Sequence, residues 1–175
     1  MRRTHLFACL PLFLAACATS TTESDSARPT PPAFLASFER VDGLIEEHEH
    51  HFERLWQLTH GGENAEAYWN LAGDALVLQR RAGDFTCDRI FELGPDGELD
   101  QVSSGKGVTT CAYFMGGDSQ IIFASTQAGM ETCPPPADYS QGYVWSLYPE
   151  YDLWVQDRAT GAETRLTDSP RYDAG

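Results

Sequence analysis

An internal repeat constrains the fold of this 175-residue chain more than any other feature of its sequence. The segment AYWNLAGDALVLQ (residues 67–79) matches AYFMGGDSQIIFA (residues 112–124), because each has Ala-Tyr-aromatic, a Gly/Asp turn and an alternating apolar run. Trp69 and Phe114 are then equivalent positions, 45 residues apart. A repeat of this length indicates a supersecondary unit that must bury its apolar face against a neighbouring unit.

A second pair of segments extends the repeat. CDRIFELGPDGELDQVS (residues 87–103) matches YDLWVQDRATGAETRLT (residues 151–167), which aligns Asp88 with Asp152 and Gly97 with Gly161. Each unit is therefore predicted to contain four antiparallel strands, and the domain to be all-β. Repeated four-stranded units of about this length are typical of β-propeller blades. A β-sandwich of two hairpin pairs is the alternative, but sandwich strands do not repeat in sequence.

Four segments of the chain carry a resemblance to a known family: QLTHGGENAEAYW, SSGKGVTTCAYF, CPPPADYSQGYVWSLYPEYDLW and RLTDSPRYDAG. They resemble the WD-like β-propeller repeats of the TolB type, particularly envelope lipoproteins of that family. The resemblance spans residues 55–175 and implies an outer strand at 55–59, blade one at 65–104, blade two at 109–168 and the start of blade three at 172–175. Because a propeller needs at least four blades, the ring is incomplete. We expect a fragment of a longer chain, with ring closure by self-association as the alternative.

The N-terminus predicts export and lipidation. Arg2 and Arg3 precede an apolar run, and the run ends in Leu14-Ala15-Ala16-Cys17, which resembles the lipobox of bacterial lipoproteins. We predict a signal peptide at 1–16, a lipid on Cys17 and a flexible Ser/Thr/Pro-rich tether at 17–32. Ala18 after the cysteine favours an outer-membrane lipoprotein in the bacterial envelope, facing the periplasm. An ordinary signal peptide cut elsewhere, or a short core helix, is the alternative.

Residues 33–54 are predicted to form a helical lead-in, because apolar residues recur every three or four positions after a Pro-Pro start. The lead-in contains the histidine run His48-Glu49-His50-His51. A zinc-protease helix needs His-Glu-x-x-His, and here Phe52 stands where the second histidine belongs. Short histidine-rich runs are only compositional hints of metal binding. We therefore predict no metal site and no cofactor.

The charge of the chain bears on its partners. The formal net charge is −14 at pH 7, so phosphate backbones and anionic lipid heads would repel it. We expect no nucleic-acid partner, and attachment to the membrane through the lipid anchor only. The chain has no Gly-x-Ser-x-Gly elbow and no histidine after His60, which argues against a serine triad in these residues. We predict a non-catalytic protein. The alternative is the propeller portion of a secreted or periplasmic peptidase whose catalytic domain lies outside this chain.

A binding face remains as the candidate functional site. In a propeller blade, the loop leading into the innermost strand and the loop between the second and third strands open on one face. In this chain the second loop of blade two is a 24-residue insertion, Gln127–Glu150, rich in proline and tyrosine. Aromatic side chains on a stiff loop are typical of binding hot spots. The candidate residues, for a protein or envelope-polymer partner, are Glu63, Asn64, Glu66, Thr109, Thr110, Tyr139, Tyr143, Tyr172 and Asp173.

Three cysteines, Cys87, Cys111 and Cys133, remain after the signal peptide is removed and Cys17 is acylated. An oxidising envelope permits one disulfide among them and leaves one thiol. The propeller topology brings all three toward the loop face. We predict a Cys111–Cys133 bond that pins the insertion to its own blade, with Cys87–Cys111 as the alternative.

Overall fold

A computed structural model describes residues 30–174, so the predicted signal peptide, Cys17 and most of the tether lie outside the described residues. Within this range the chain forms ten β-strands and two short 3₁₀ helices. The 3₁₀ helices span Ala33–Ser37 and Asp42–Leu44. The strands are β1 (Glu39–Arg40), β2 (Trp56–Gln57), β3 (Glu63–Trp69), β4 (Leu76–Arg81), β5 (Arg89–Leu93), β6 (Leu99–Gln101), β7 (Thr109–Met115), β8 (Gln120–Ser125), β9 (Asp152–Asp157) and β10 (Glu163–Arg165).

Two four-stranded antiparallel sheets make up most of the structure. Sheet I has the order β3-β4-β5-β6 and sheet II the order β7-β8-β9-β10, so each sheet is a meander of sequence neighbours. A third, two-stranded sheet joins β1 to β2. The prediction of an all-β domain built from four-stranded antiparallel units is confirmed.

Matching irregularities in the two sheets confirm the 45-residue equivalence of their first strands. The register of β3 against β4 shifts between Ala65 and Tyr68, and that of β7 against β8 shifts between Thr110 and Tyr113. Glu66 in the first bulge has φ +50°, and Cys111 in the second has φ +47°. A positive φ is uncommon for residues other than glycine. Its recurrence 45 residues later shows that the two bulges are the same structural feature.

In the second half of the repeat, β9 is shifted by one residue from the sequence alignment with β5, whereas β10 keeps the predicted alignment with β6. Leu78 pairs with Phe91 in sheet I, and Phe123 pairs with Trp154 in sheet II, which makes Phe91 the counterpart of Trp154. Asp88 therefore corresponds to Tyr151, and its predicted match with Asp152 is wrong. The cause is the hairpin from β9 to β10, which has one residue more than the hairpin from β5 to β6.

The main core lies between the two sheets. One face of sheet I meets one face of sheet II in a fully apolar cluster made of Val77, Ile90, Val102, Ala112, Ile121 and Phe123, with Tyr68, Phe114 and Trp154 packed against it. Polar contacts at the edges tie the same sheets together. The Asp118 carboxylate accepts hydrogen bonds from the Leu71 and Ala72 amides, at 2.8 and 3.0 Å. Arg158 in sheet II pairs with Glu92 in sheet I.

The other face of sheet I is covered by the N-terminal segment. Phe34, 2% exposed, packs with Leu35 and Phe38 against a cluster that includes Leu78 and Phe91. This segment is not the continuous helix predicted for residues 33–54. The apolar spacing reflects packing of the first 3₁₀ helix onto the sheet.

Farther along the lead-in, strand pairing and a backbone hydrogen bond are found in place of the predicted helical hydrogen bonds. The Val41 amide donates to the Leu55 carbonyl at 2.8 Å, and β1 pairs with β2. Within the predicted outer strand at 55–59, Trp56–Gln57 forms β2 and pairs with β1.

Candidate functional site: a cleft at the loop face

One end of the two sheets gathers the loops that surround the candidate site. It receives the N-terminal ends of β3 and β7 and the connections from β4 to β5 and from β8 to β9. We call this end the loop face. The connection from β8 to β9 contains the 24-residue insertion Gln127–Glu150, which crosses from sheet II toward sheet I.

A cleft of about 180 Å³ lies between the insertion and the strand ends. Its floor is formed by residues in or directly before strands of both sheets, and its wall by proline and aromatic residues of the insertion. The floor comprises Arg81, Cys87, Asp88, Val108, Thr109, Thr110 and Tyr151; the wall comprises Pro134, Pro135, Pro136, Tyr139, Tyr143, Trp145 and Tyr148. The cleft therefore combines aromatic surface with a few polar groups, the usual composition of a ligand site.

A disulfide between Cys87 and Cys133 anchors the wall to the floor, with a Cα–Cα distance of 5.6 Å. The predicted Cys111–Cys133 bond is wrong, and so is its alternative, Cys87–Cys111. Cys111 has a free thiol at the bulge of β7, and its Sγ lies 3.3 Å from Thr110 Oγ1. The insertion crosses to the neighbouring sheet, so Cys133 meets the cysteine that precedes β5. The bond consequently links the two sheets as well as pinning the insertion.

Arg89 lies beneath this disulfide and is 4% exposed. Its Nη1 donates to the carbonyls of Asp88 and Gly107, and its Nη2 lies 3.4 Å from the Cys133 sulfur. Burial lowers the pKa of Arg89, although the neighbouring Asp88 charge acts in the opposite direction. The arginine holds β5, the loop before β7 and the insertion together, so its contacts assign it a structural role.

Asp88 is the acidic group on the floor of the cleft. Gln79 Nε2 donates to its carboxylate at 3.2 Å. The same glutamine accepts, through Oε1, from the Thr110 hydroxyl at 2.9 Å and from the Cys111 amide at 3.2 Å. Desolvation raises the pKa of Asp88, a nearby Glu63 carboxylate acts in the same direction, and Arg81 partly opposes both. The Asp88 carboxylate is thus held at the junction of the two sheets in a partly dry setting.

An adjoining cavity of about 530 Å³ shares Asp88 with this cleft and is also lined by Gln79. It is lined by Glu63 and Asn64, two of the predicted site residues. The Glu63 carboxylate forms an ion pair with Arg81, and the Asn64 side-chain oxygen accepts from Arg80. Hydrogen bonding to Glu63 raises the pKa of Arg81.

The other predicted residues divide between the cleft and its surroundings. Thr109, Thr110, Tyr139 and Tyr143 line the cleft itself. Glu66 does not line the cleft. It lies at the bulge of β3, where its carboxylate accepts a hydrogen bond from the Tyr68 hydroxyl. That hydrogen bond raises the pKa of the Tyr68 hydroxyl.

Tyr172 and Asp173 border the cleft from the C-terminal side. The Tyr172 hydroxyl accepts from Trp145 Nε1 at 3.1 Å, and its ring meets Tyr151 edge-on at 5.4 Å. The Asp173 amide donates to the Tyr151 carbonyl at 3.0 Å. These contacts fix the C-terminal segment at the rim of the cleft, and residues of the insertion border the opening.

Two tyrosines stand at the mouth of the cleft. Tyr139 is 59% exposed and Tyr143 is 81% exposed, and their rings are stacked with centroids 6.4 Å apart. Tyr148, by contrast, packs into the cluster that contains Cys87 and Tyr151. Large aromatic side chains that remain exposed beside a concave surface lose little conformational entropy on binding. Tyr139 and Tyr143 are therefore the groups best placed to contact a partner.

The histidine run lies in the lead-in, away from the residues that line the cleft. His48, His50 and His51 are exposed, and His48 Nε2 lies 3.6 Å from a carboxylate oxygen of Glu46. Across residues 30–174, no three His, Cys, Asp or Glu side chains are grouped so that they could hold a metal ion. The same residues include no helix with the length and apolarity needed to cross a bilayer.

Sequence reasoning missed the polar centre of the cleft. Asp88, Gln79 and Arg81 were not among the predicted site residues, although Asp88 follows a cysteine directly in the sequence. The missed signal was the adjacency of Cys87 and Asp88. Because Cys87 is bonded to the insertion, Asp88 must also lie beside the insertion. The one-residue alignment error concealed it, because it equated Asp88 with Asp152, whose carboxylate pairs with Arg165 instead.

No family model matches the chain, and no curated protein is significantly similar to it. The resemblance to TolB-type repeats therefore rests on the quoted residues alone.

Proposed function

We propose that this chain is a non-catalytic, lipid-anchored protein of the bacterial cell envelope that binds a protein or an envelope polymer through the cleft at its loop face. In this proposal sheets I and II are successive blades of a β-propeller of the TolB type. Cys17 carries the lipid, residues 17–32 form the tether, and the outer membrane is the site of attachment.

The aromatic cleft is the observation that supports a binding role most directly. Its wall is a 24-residue insertion that sheet I lacks at the corresponding connection, and a disulfide fixes that wall to the floor. A loop fixed in this way is preorganised, which lowers the entropic cost of binding. Tyr139 and Tyr143 supply exposed contact area, and Asp88 supplies a charge at the base.

The propeller arrangement is supported by the way in which the sheets pack. Each is a four-stranded meander, the first strand of sheet II (β7) packs against β3, β4 and β5 of sheet I, and β3 and β7 have a bulge at the same position. The Tyr68 and Tyr113 rings, at equivalent positions in those strands, contact each other in a tilted arrangement with centroids 4.1 Å apart. Radial repetition of such sheets is how propellers bury their faces.

The binding proposal is tested by photo-crosslinking in cells. A benzophenone amino acid placed at Tyr143 is expected to form a discrete adduct with a protein, or muramidase-sensitive material of high mass. The same label at Leu71, 85% exposed in the turn between β3 and β4 at the opposite end of sheet I, is the matched control. Adducts at both positions, or at neither, would remove the support for a specific loop-face partner.

The anchor is tested separately by fractionation. Cys17→Ser is expected to release the protein from the membrane fraction into the soluble periplasmic fraction, because two or more acyl chains are needed for stable attachment. Ala18→Ser, which keeps the cysteine, should remain with the membrane. Unchanged membrane association of the Cys17→Ser protein would contradict lipid anchoring and leave the cleft proposal standing.

A further inference from the structure

Several hydrogen-bond donors at the base of the cleft are already engaged within the protein. The Thr110 hydroxyl and the Cys111 amide both donate to Gln79 Oε1. Gln79 Nε2 in turn donates to the Asp88 carboxylate at 3.2 Å, and the Thr109 hydroxyl donates to the main-chain carbonyl of Asp88 at 3.0 Å. A ligand that reaches this base therefore finds acceptor atoms more readily than donors.

The Asp88 carboxylate has hydrogen-bonding capacity to spare. Within residues 30–174 its two oxygens accept a single hydrogen bond, the one from Gln79. An ionised carboxylate offers about four lone-pair positions and no hydrogen. Asp88 lines both the cleft and the adjoining cavity, so the carboxylate borders two open spaces. A ligand that binds to Asp88 must accordingly be a hydrogen-bond donor.

The two arginines near Asp88 direct their hydrogen bonds elsewhere. Arg81 forms an ion pair with Glu63. Arg89 donates to the main-chain carbonyls of Asp88 and Gly107. Desolvation keeps the pKa of Asp88 raised even though both arginine charges oppose the shift. Among the described residues, Asp88 is therefore a partly dry carboxylate without an ion-pair partner, an environment that a cationic ligand would complete.

The wall of the cleft suits a cation carried on an apolar stem. Tyr139 and Tyr143 are exposed and stacked at the mouth. Trp145 also lines the cleft, and its Nε1 donates to the Tyr172 hydroxyl. Aromatic faces attract ammonium and guanidinium groups. Lysine and arginine side chains lay their methylene stems along apolar surface while the charged head reaches a polar partner.

We infer that the cleft binds a lysine or arginine side chain of a protein partner, with the charge on Asp88 and the stem against Tyr139 and Tyr143. This inference rests on the proposed binding function and specifies the chemistry of the partner. Charge complementarity favours a basic protein segment, because the chain has a formal net charge of −14. A saccharide is favoured less, because its hydroxyl groups need donors as well as acceptors from the site.

The test measures the yield of the protein adduct formed in cells by a benzophenone amino acid at position 143. Asp88→Asn removes the charge but keeps an oxygen that can accept from Gln79. It is expected to lower the yield by about tenfold or more, as for the loss of a charge-assisted hydrogen bond. Arg81→Gln removes a positive charge from the cleft and is expected to raise the yield by about twofold, because charge effects at a partly exposed position are modest.

A second pair of variants tests the aromatic wall. Tyr139→Phe keeps the ring and loses the hydroxyl, so the yield should stay at the parent level. Tyr139→Leu keeps an apolar side chain and loses the ring, so the yield should fall by about threefold. Equal yields in the two variants would contradict a cation held against the Tyr139 ring.

The unfolding midpoint of each purified variant is the control for folding. A protein adduct with the same yield in Asp88→Asn as in the parent would overturn this inference and leave the proposed loop-face partner standing. So would a gain in Asp88→Asn with a loss in Arg81→Gln, which would indicate an anionic ligand, or a loss in both with unchanged midpoints. Muramidase-sensitive material in place of a protein adduct would assign the cleft to an envelope polymer and also overturn it. No adduct in the parent would refute the proposed function itself.

Discussion

The Cys87–Cys133 disulfide gives the most exact stability prediction. Its two cysteines are separated by 46 residues in the chain. In the chain-entropy description, a cross-link closing a loop of this size removes about 4 kcal/mol of unfolded-state freedom at 25 °C. The double variant Cys87→Ser/Cys133→Ser should therefore lose about 4 kcal/mol of unfolding free energy. Cys111→Ser is the matched control, and as a partly buried free thiol it should cost under about 1 kcal/mol.

The assay is urea unfolding followed by circular dichroism, for the three proteins with and without reductant. Reductant should lower the stability of the wild type and of Cys111→Ser by similar amounts and leave the double variant unchanged. Peptide mapping without reduction should recover one linked pair that contains Cys87 and Cys133. A large loss in Cys111→Ser under oxidising conditions, or a linked peptide containing Cys111, would refute the pairing.

Three further changes test other parts of the structure, each by its own measurement. Gly107→Ala should lose about 2–4 kcal/mol in urea unfolding, because the φ of +57° and the close approach of Thr126 Oγ1 both oppose an added Cβ. Gly161→Ala, with φ +70° and open space around the added Cβ, should lose only about 1–2 kcal/mol. Equal losses would contradict the close approach at Gly107. Val102 is 7% exposed between the sheets, so Val102→Ala should lower the free energy of unfolding by about 2 kcal/mol in thermal or urea unfolding. Leu166 follows β10 as Val102 follows β6 but is 52% exposed, so Leu166→Ala should lower it by under about 1 kcal/mol. The reverse order would contradict the burial assigned to these two residues. Because burial raises the pKa of Asp88 above its ordinary 3.8, the folded state binds the proton more tightly, so stability should fall as pH rises from about 3.8 through the folded pKa. Asp88→Asn should remove that fall when unfolding is measured as a function of pH, and an identical pH profile in the variant would contradict the desolvated carboxylate.

The strand architecture could be predicted from the sequence because equivalent positions of the repeat have the same or similar residues. Tyr68 and Tyr113, 45 residues apart, occupy the same place in β3 and β7, and the bulges beside them coincide. Alternating apolar runs with Gly/Asp turns predict paired strands through local chemistry alone. The four-stranded order of each sheet follows from those turns.

The length of the hairpin from β9 to β10 limited how accurately the rest of the repeat could be aligned from the sequence. One additional residue in the hairpin from β9 to β10 moved the counterpart of Asp88 from Asp152 to Tyr151. Side-chain identity favoured the wrong match because both residues are aspartates, whereas strand register depends on backbone pairing. A shift of one residue reverses the face to which a side chain points, so Asp88 escaped notice as a cleft residue.

Tertiary contacts determine the conformation of the lead-in and the pairing of the cysteines in the disulfide. Phe34 and Phe38 have helical spacing, yet they lie in and beside a short 3₁₀ helix on sheet I, and β1 pairs with a strand sixteen or more residues away. The pairing of Cys133 depends on where a 24-residue insertion crosses, which spacing does not determine. In both cases the missing information was the position of distant chain segments.

The central claim is that a partner occupies the loop-face cleft in the envelope. The most direct test compares thiol labelling of Tyr143→Cys in isolated envelopes and in the purified protein, in a Cys111→Ser background. Leu71→Cys at the opposite end of sheet I reports general accessibility. We predict that labelling at position 143 is slowed by about tenfold in envelopes, as expected when a bound partner excludes solvent from a hot spot, while labelling at position 71 keeps its rate. The same envelope-to-purified ratio at both positions would contradict the claim.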